Sequence, residues 1–419
     1  MRIYYTKLAL LIQLSIKIKT PFSGKNDAME KPTKEIRYGT HSLNQDDVDA
    51  VIAVLKSDWL TSGPITPVFE QSISSFVGAE FGVAVNNATS ALIIAYAALG
   101  FGAGDVLWTS PNTFVSTANA AIACGGKVDF VDIDPDSYNL SVEKLSEKLE
   151  IADLEGKLPK IVVPVHFAGQ SCEMLKIFEL SKKYGFHIVE DASHALGATY
   201  LGKSVGNCRY SDICVFSFHP VKMITSGEGG LATTNNADLY EKMKLIRSHG
   251  ISSNESCFYP RPDEEIWNYQ QFIFGYNFRL TDFQAALGLS QLNRLPNFVR
   301  RRVQIAREYD EKLSRLPIVT PWQSRSGASS YHLYPICLQK SYKSTSQKFV
   351  YQKLVMNGIQ ANLHYIPVYR QPYYEKLGFK KGYCREAESY FKRSVSLPIH
   401  FELSSAQQDY IIKTLEQVV

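Results

Sequence analysis

The chain has 419 residues, 45% hydrophobic and 21% charged, the make-up of a globular enzyme large enough for two or three domains. A net charge of +4 is small for this length and argues against nucleic acid or a membrane surface as the main partner, leaving only a locally basic cleft for a phosphorylated ligand. Seven scattered cysteines, odd in number and without a C-x-x-C pair, speak against a disulfide framework and a structural zinc site and fit a reducing cytoplasm.

Taken in chain order, the first apolar run is Leu8 to Ile12, broken by Gln13, Lys17 and Lys19. It is too short to span a bilayer, and no small-x-small cleavage site follows it. Residues 1–28 read as upstream sequence ahead of Met29, and residues 1–34 as an extension outside the fold. Asn44 can cap a helix over 45–58, with Asp46 and Asp47 in its first turn. A second helix is expected at 69–78, a strand at 81–87 and a helix from Thr89 to Leu99. Strand, helix and strand follow at 105–110, 113–125 and 127–134, then a helix at 141–149. Next come a strand at 161–167, a helix at 174–185 and strands at 186–193, 212–218 and 229–234. A helix at 238–250 is closed by Gly250.

Runs such as "IVVPV" are apolar at successive positions, as in strands buried on both faces. Together these patterns predict an α/β domain over 35–252 with a mainly parallel sheet covered by helices. Ligands bind such sheets beyond the carboxyl ends of the strands. Asn87–Ser90, Pro111–Phe114, His166, Asp191–His194 and Ser217–Lys222 all fall there. After a polar loop at 252–265, residues 281–316 have helical spacing, with a break expected near Pro296. Short strands and helices then complete a smaller α+β domain, 253–419.

One stretch asks for chemistry: "VFSFHPVKMITSGEGG", residues 215–230. A buried-looking strand runs through Ser217 into Lys222 and a glycine turn. A partly desolvated lysine can lose its proton and attack a carbonyl, forming a Schiff base. Pyridoxal 5′-phosphate needs such a lysine for its aldehyde, hydroxyls and amides for its phosphate, and a carboxylate for its ring nitrogen. Lys222 is the lysine. Ala88, Thr89 and Ser90 stand where a strand gives way to a helix, whose free N–H groups suit a phosphate, and Ser217 adds a hydroxyl. Asp191 ends an apolar strand, and Phe114 can cover one ring face. Each has an ordinary alternative: helix start, helix cap, core aromatic, or, for His194 and His219, a satisfied core histidine. The joint order on successive strand ends is what carries the reading.

"EDASHALG", "FSFHPVKMITSGEGG", "RSHGI" and "GYNFRLTDFQAALGLSQL" together resemble the DegT/DnrJ/EryC1/StrS sugar-nucleotide aminotransferases over about residues 35–419. The resemblance implies the aspartate-aminotransferase (type I) fold of PLP-dependent transferases. It implies Lys222 as the catalytic lysine, with Ala88, Thr89, Ser90, Phe114, Asp191, His194 and Ser217 around the cofactor. It implies that Asn277 reaches the phosphate of a neighbouring subunit, hence a homodimer with shared sites. Tyr38, Trp59, Leu60, Thr61, His332 and Tyr334 match segments that contact cofactor or nucleotide sugar. Met223 and Ser226 stand where proline and threonine are the pattern, without removing a reactive group. "HYIPVYRQPYYEKLGF" and "SLPIH" are nearest to the members of pseudaminic acid biosynthesis, which implies a UDP-linked 4-keto sugar as acceptor and L-glutamate as donor. The rival readings are amination of another UDP- or dTDP-keto sugar, a dehydratase (which carries histidine in place of the lysine), and a catalytically silent PLP-binding protein. No metal enters any of them.

Overall fold

The computed structural model describes residues 32, 34–341 and 345–419. The reading of residues 1–28 as upstream sequence lies outside the described residues.

A seven-stranded sheet forms from β1 (Phe81–Val85), β2 (Val106–Thr109), β3 (Lys127–Phe130), β4 (Ile161–Val163), β5 (His187–Asp191), β6 (Ile213–Ser217) and β7 (Gly230–Thr234). Its spatial order is β1-β7-β6-β5-β4-β2-β3. The pairs β3/β2, β2/β4, β4/β5 and β5/β6 are parallel, and β7 runs antiparallel to both β6 and β1. The mainly parallel α/β sheet expected from the apolar runs is present. β4 and β7 are buried at every position, as strands covered on both faces must be.

The helices between them begin and end where side chains can satisfy free main-chain groups. Helix α1 (Gln45–Leu55) opens on a capping box between Asn44 and Asp47. Helix α2 (Ile65–Val77) closes on Gly78 in the left-handed region, φ 82°. Helix α3 (Ala88–Ala98) is capped by Asn87, whose side chain accepts the Ser90 amide. α3 is alanine-rich and buried nearly all round, because it lies against β6 and β7 and between α4 (Ser116–Ala123) and α7 (Ala237–Arg247). α5 (Val142–Leu154) and α6 (Met174–Tyr184) complete the crossovers, and Gly185 ends α6 at φ 78°.

Helix α8 (Asp282–Leu313) departs from expectation. It runs as one element of 32 residues with Pro296 inside it. Proline removes one ladder hydrogen bond and crowds the carbonyl four residues back. Burial on both sides outweighs that. Leu292, Leu295 and Phe298 pack in the core that holds Phe216 and Phe218. Ile305, Tyr309 and Leu313 pack in a separate core. That second core is built on β8 (Ile318–Val319), β9 (Tyr334–Leu338) and β10 (Ser394–Leu397), an antiparallel sheet with β9 in the middle. Helices α9 (Gln347–Met356) and α10 (Ser405–Glu416) pack on it. Ile36, far away in sequence, joins this core and bridges to Ile359.

Candidate active site

A cavity of about 980 Å³ opens at the carboxyl ends of the parallel strands. Lys222 lines it, in the loop that joins β6 to β7. That loop is fastened by main chain: the Phe218 amide donates to Gly229 (2.8 Å), Ser226 to Phe218 (3.0 Å) and Lys222 to His219 (2.9 Å). Burial pushes the Lys222 amine down to about 8, against the pull of the Asp191 carboxylate. A substantial fraction of the amine is therefore neutral near pH 7–8, as a nucleophile and proton carrier requires.

Asp191 ends β5 and is buried. Its Oδ2 accepts the Thr117 hydroxyl at 2.7 Å and its Oδ1 the Ser193 amide at 3.1 Å. The Thr113 hydroxyl stands 2.8 Å behind that of Thr117. Among the described residues its donors are neutral, so its charge is free to meet a cation in the cavity.

The start of α3 forms a neighbouring wall. Asn87 takes the Ser90 amide (2.9 Å) and the Ser90 hydroxyl turns onto Asn86 (2.7 Å). The amides of Ala88 and Thr89 belong to the first helical turn and have no intrahelical acceptor, and both residues line the cavity, where free N–H groups suit an anion. The approach of β7 to this turn depends on Gly230: an added Cβ would lie 2.5 Å from the carbonyl of Asn87 and 2.6 Å from the nitrogen of Ala88. Ser217, the register partner of Gly230, lines the same wall. Phe114 is 60% exposed at the cavity, an aromatic face presented to a ligand instead of to the core.

The same cavity carries a cluster of imidazoles. The rings of His194 and His332 are 4.4 Å apart, and the Tyr365 hydroxyl is 3.1 Å from His194 Nε2. His364 Nδ1 is 2.9 Å from the Ser396 hydroxyl, and its ring is 5.5 Å from that of Tyr38. Burial, reinforced by the Lys222 charge, holds His364 down to about 3. His194 and His332 lie well below the ordinary histidine range, for burial first, with the Lys222 charge adding to it. All three are neutral at pH 7.

Of the residues singled out from sequence, the structure brings Tyr38, Ala88, Thr89, Ser90, Phe114, Asp191, His194, Ser217, Lys222 and His332 to one cavity. Tyr334 does not line it. It opens β9 opposite Leu397, is fully buried, packs at a tilt with its ring 4.8 Å from that of Tyr309 and donates to Asp310. Trp59, Leu60 and Thr61 are exposed and outside it, because the Asp282 amide holds the Leu60 carbonyl and Thr61 bridges to Thr281 at the start of α8. Asn277 is likewise exposed and outside it, bridged to Ser248. Sequence reasoning missed Thr117, His364 and Tyr365. The last two lie in the "HYIPVY" stretch, which carried resemblance but no assigned role.

A lysine whose proton is loosened by burial, a carboxylate with neutral donors, a helix start with free amides and an exposed aromatic face on one cavity fit pyridoxal 5′-phosphate group by group. These features define a PLP-dependent aminotransferase of fold type I. The model of the DegT/DnrJ/EryC1/StrS aminotransferase family matches residues 41–416, and the chain belongs to that family. It is 36% identical over 385 residues to the UDP-4-amino-4,6-dideoxy-N-acetyl-β-L-altrosamine transaminase of Campylobacter jejuni, covering 92% of this chain and 97% of that one. It is 32% identical over 380 residues to the GDP-perosamine synthase of Caulobacter vibrioides, covering 90% and 96%. The solved Helicobacter pylori PseC, an aminotransferase of pseudaminic acid biosynthesis, superposes with a TM-score of 0.82 at 33% identity, covering 92% of this chain and 99% of that one. The protein is a sugar aminotransferase.

Proposed function

We propose that the protein transfers the amino group of L-glutamate to C4 of UDP-2-acetamido-2,6-dideoxy-β-L-arabino-hexos-4-ulose. The products are 2-oxoglutarate and UDP-4-amino-4,6-dideoxy-N-acetyl-β-L-altrosamine. The observation that carries the chemistry is Lys222, pushed down to about 8 in a cavity it shares with Asp191. The substrate assignment is supported by the likeness to the Campylobacter enzyme, whereas the likeness to the perosamine enzyme keeps a different keto-sugar nucleotide as the second reading.

Bound in the cavity, pyridoxal phosphate supplies an aldehyde that takes up amino groups and a ring that accepts electrons. The chain supplies the rest. The amides of Ala88 and Thr89, with Ser217, would hold the phosphate, and Phe114 would lie against the ring. Asp191, fixed by Thr117 and Ser193, would pair with the ring nitrogen. Lys222, as a neutral amine, would take the proton from the α-carbon of glutamate and deliver a proton to C4 of the sugar. The imidazole wall offers neutral hydrogen-bonding groups to the sugar without adding charge beside the amine.

We further propose that Asn277 serves the site of a partner subunit in a homodimer. It is exposed and outside its own cavity, so a ligand contact requires a second copy. Lys222→Ala and Asn277→Asp proteins, each inactive, then regain activity when mixed and allowed to exchange subunits; mixed dimers that stay dead refute the shared site. The substrate is tested by incubating the protein with L-glutamate and a panel of UDP- and dTDP-4-keto-6-deoxy sugars. Mass spectrometry and NMR identify the products. Preference for a dTDP sugar overturns the assignment.

A further inference from the structure

His332 is set into the imidazole wall from two sides, and one of those holds lies outside the cavity. Arg302, in α8, is only 3% exposed. The hydrogen bonds its guanidinium makes among the described residues go to main-chain carbonyls: Tyr331 at 3.2 Å, His332 at 3.1 Å and Ile399 at 2.8 Å. Burial lowers it to about 10, so it is charged at neutral pH. A buried guanidinium that faces carbonyls instead of a carboxylate is an unfavourable placement unless those carbonyls must be held.

Two of them must. Tyr331 has φ 50°, a left-handed conformation that a bulky side chain enters only when its surroundings impose it. The next residue is His332, whose ring packs on His194. On the far side this segment is tied to the loop after β4: the Ser330 amide donates to Gly169 (3.1 Å) and the Leu333 amide to Ala168 (3.3 Å). The Ser330 hydroxyl reaches the His194 carbonyl at 2.9 Å. On the α8 side, Arg302 takes both carbonyls of the turn.

We propose that Arg302 is a positioning residue: from inside α8 it holds the strained Tyr331–His332 turn and thereby sets His332 against His194 at the wall of the cavity. Arg302 does not line the cavity that holds Lys222 and Asp191, and its effect on that cavity passes through the turn that carries His332. The activity arm of the test rests on the aminotransferase reading; the exchange arm does not.

The full-length holoenzyme is compared with Arg302→Met, Arg302→Lys, His332→Asn and the double variant Arg302→Met/His332→Asn. Arg302→Met is expected to lower kcat/KM for the keto-sugar nucleotide about 10–50-fold, and Arg302→Lys, whose ammonium offers three donors to the same three carbonyls, to stay within about fivefold of wild type. The double variant is expected within about twofold of His332→Asn alone, because the two residues act as one unit. In hydrogen exchange, the Ser330 and Leu333 amides of Arg302→Met should open at least about tenfold faster while α6 keeps its protection. Losses that multiply in the double variant, or unchanged exchange at Ser330 and Leu333, overturn the proposal. If Arg302→Met does not fold, Arg302→Gln takes its place in the same cycle with the same criteria. If the wild-type protein does not transaminate any keto sugar, the functional reading falls and the exchange result alone decides the role of Arg302.

Discussion

The two walls of the cavity are built in opposite ways. The wall made by the start of α3, Ser217 and Asp191 consists of strand ends and a helix start, each donor placed by its own element and by main-chain pairing. The imidazole wall consists of His194, His332 and His364, brought together from three distant segments and kept neutral by burial. The first is a polar cradle with unspent hydrogen bonds and one charge. The second is uncharged but polar. Under the proposed function the contrast is a division of labour: the cradle would fix the cofactor and the imidazole wall would border the space for the sugar.

The largest effect tests the residue between the walls. Lys222→Ala should lower transamination at least about a thousandfold while its circular dichroism stays close to wild type. Full activity in that variant ends the mechanism.

Asp191→Asn should keep cofactor but lose about a hundredfold in turnover, because the ring nitrogen loses its anionic partner. A rate within about threefold of wild type would reduce Asp191 to a structural role.

Stability gives the next test, and its sign follows from the lysine. Lys222 sits at about 8 in the fold and at 10.5 when unfolded. Between those values the unfolded chain binds a proton that the folded one lacks, so stability rises with pH across that window. Below pH 8 the fold carries a desolvated ammonium, at a cost on the order of 2 kcal/mol once partial exposure is allowed for. Lys222→Met should therefore stabilise the apoprotein by about that amount at pH 7, with the gain fading towards pH 10.5. Urea titrations at pH 7 and pH 10 measure it; an equal difference at both would mean the charge is not what burial penalises.

The smallest effects separate the walls. Gly230→Ala drives a methyl group into the backbone of Asn87 and Ala88 and should weaken cofactor binding about tenfold. His364→Phe keeps the ring but drops the bond to Ser396, and should cut kcat/KM for the sugar about tenfold with cofactor content unchanged. Cofactor loss in His364→Phe would erase the division of labour.

The same contrast explains what could be read from the sequence. The cradle was legible because its parts are local: a cap residue before an apolar helix, a carboxylate at the end of an apolar strand, a hydroxyl and a lysine around one turn. The mainly parallel sheet was legible for the same reason, from runs apolar at successive positions. The imidazole wall was not, since the contacts of His364 with Tyr38 and Ser396 join residues far apart in the chain, and only resemblance pointed to His332. Tyr334 shows the limit of resemblance: two residues beyond His332, the chain has already entered β9 and turned its ring into the second core. Pro296 misled for a related reason. The local rule breaks a helix there, and two separate cores on one helix override it.

The hairpin that carries Lys222 is closed at its base by the Phe218–Gly229 and Ser226–Phe218 amide bonds, none of which uses the lysine side chain. Position 222 is thus an address written in the backbone, and the residue delivered there can be exchanged without redrawing the scaffold. On such a frame a change of reaction needs one substitution, whereas a change of sugar needs concerted changes in segments that meet only in three dimensions.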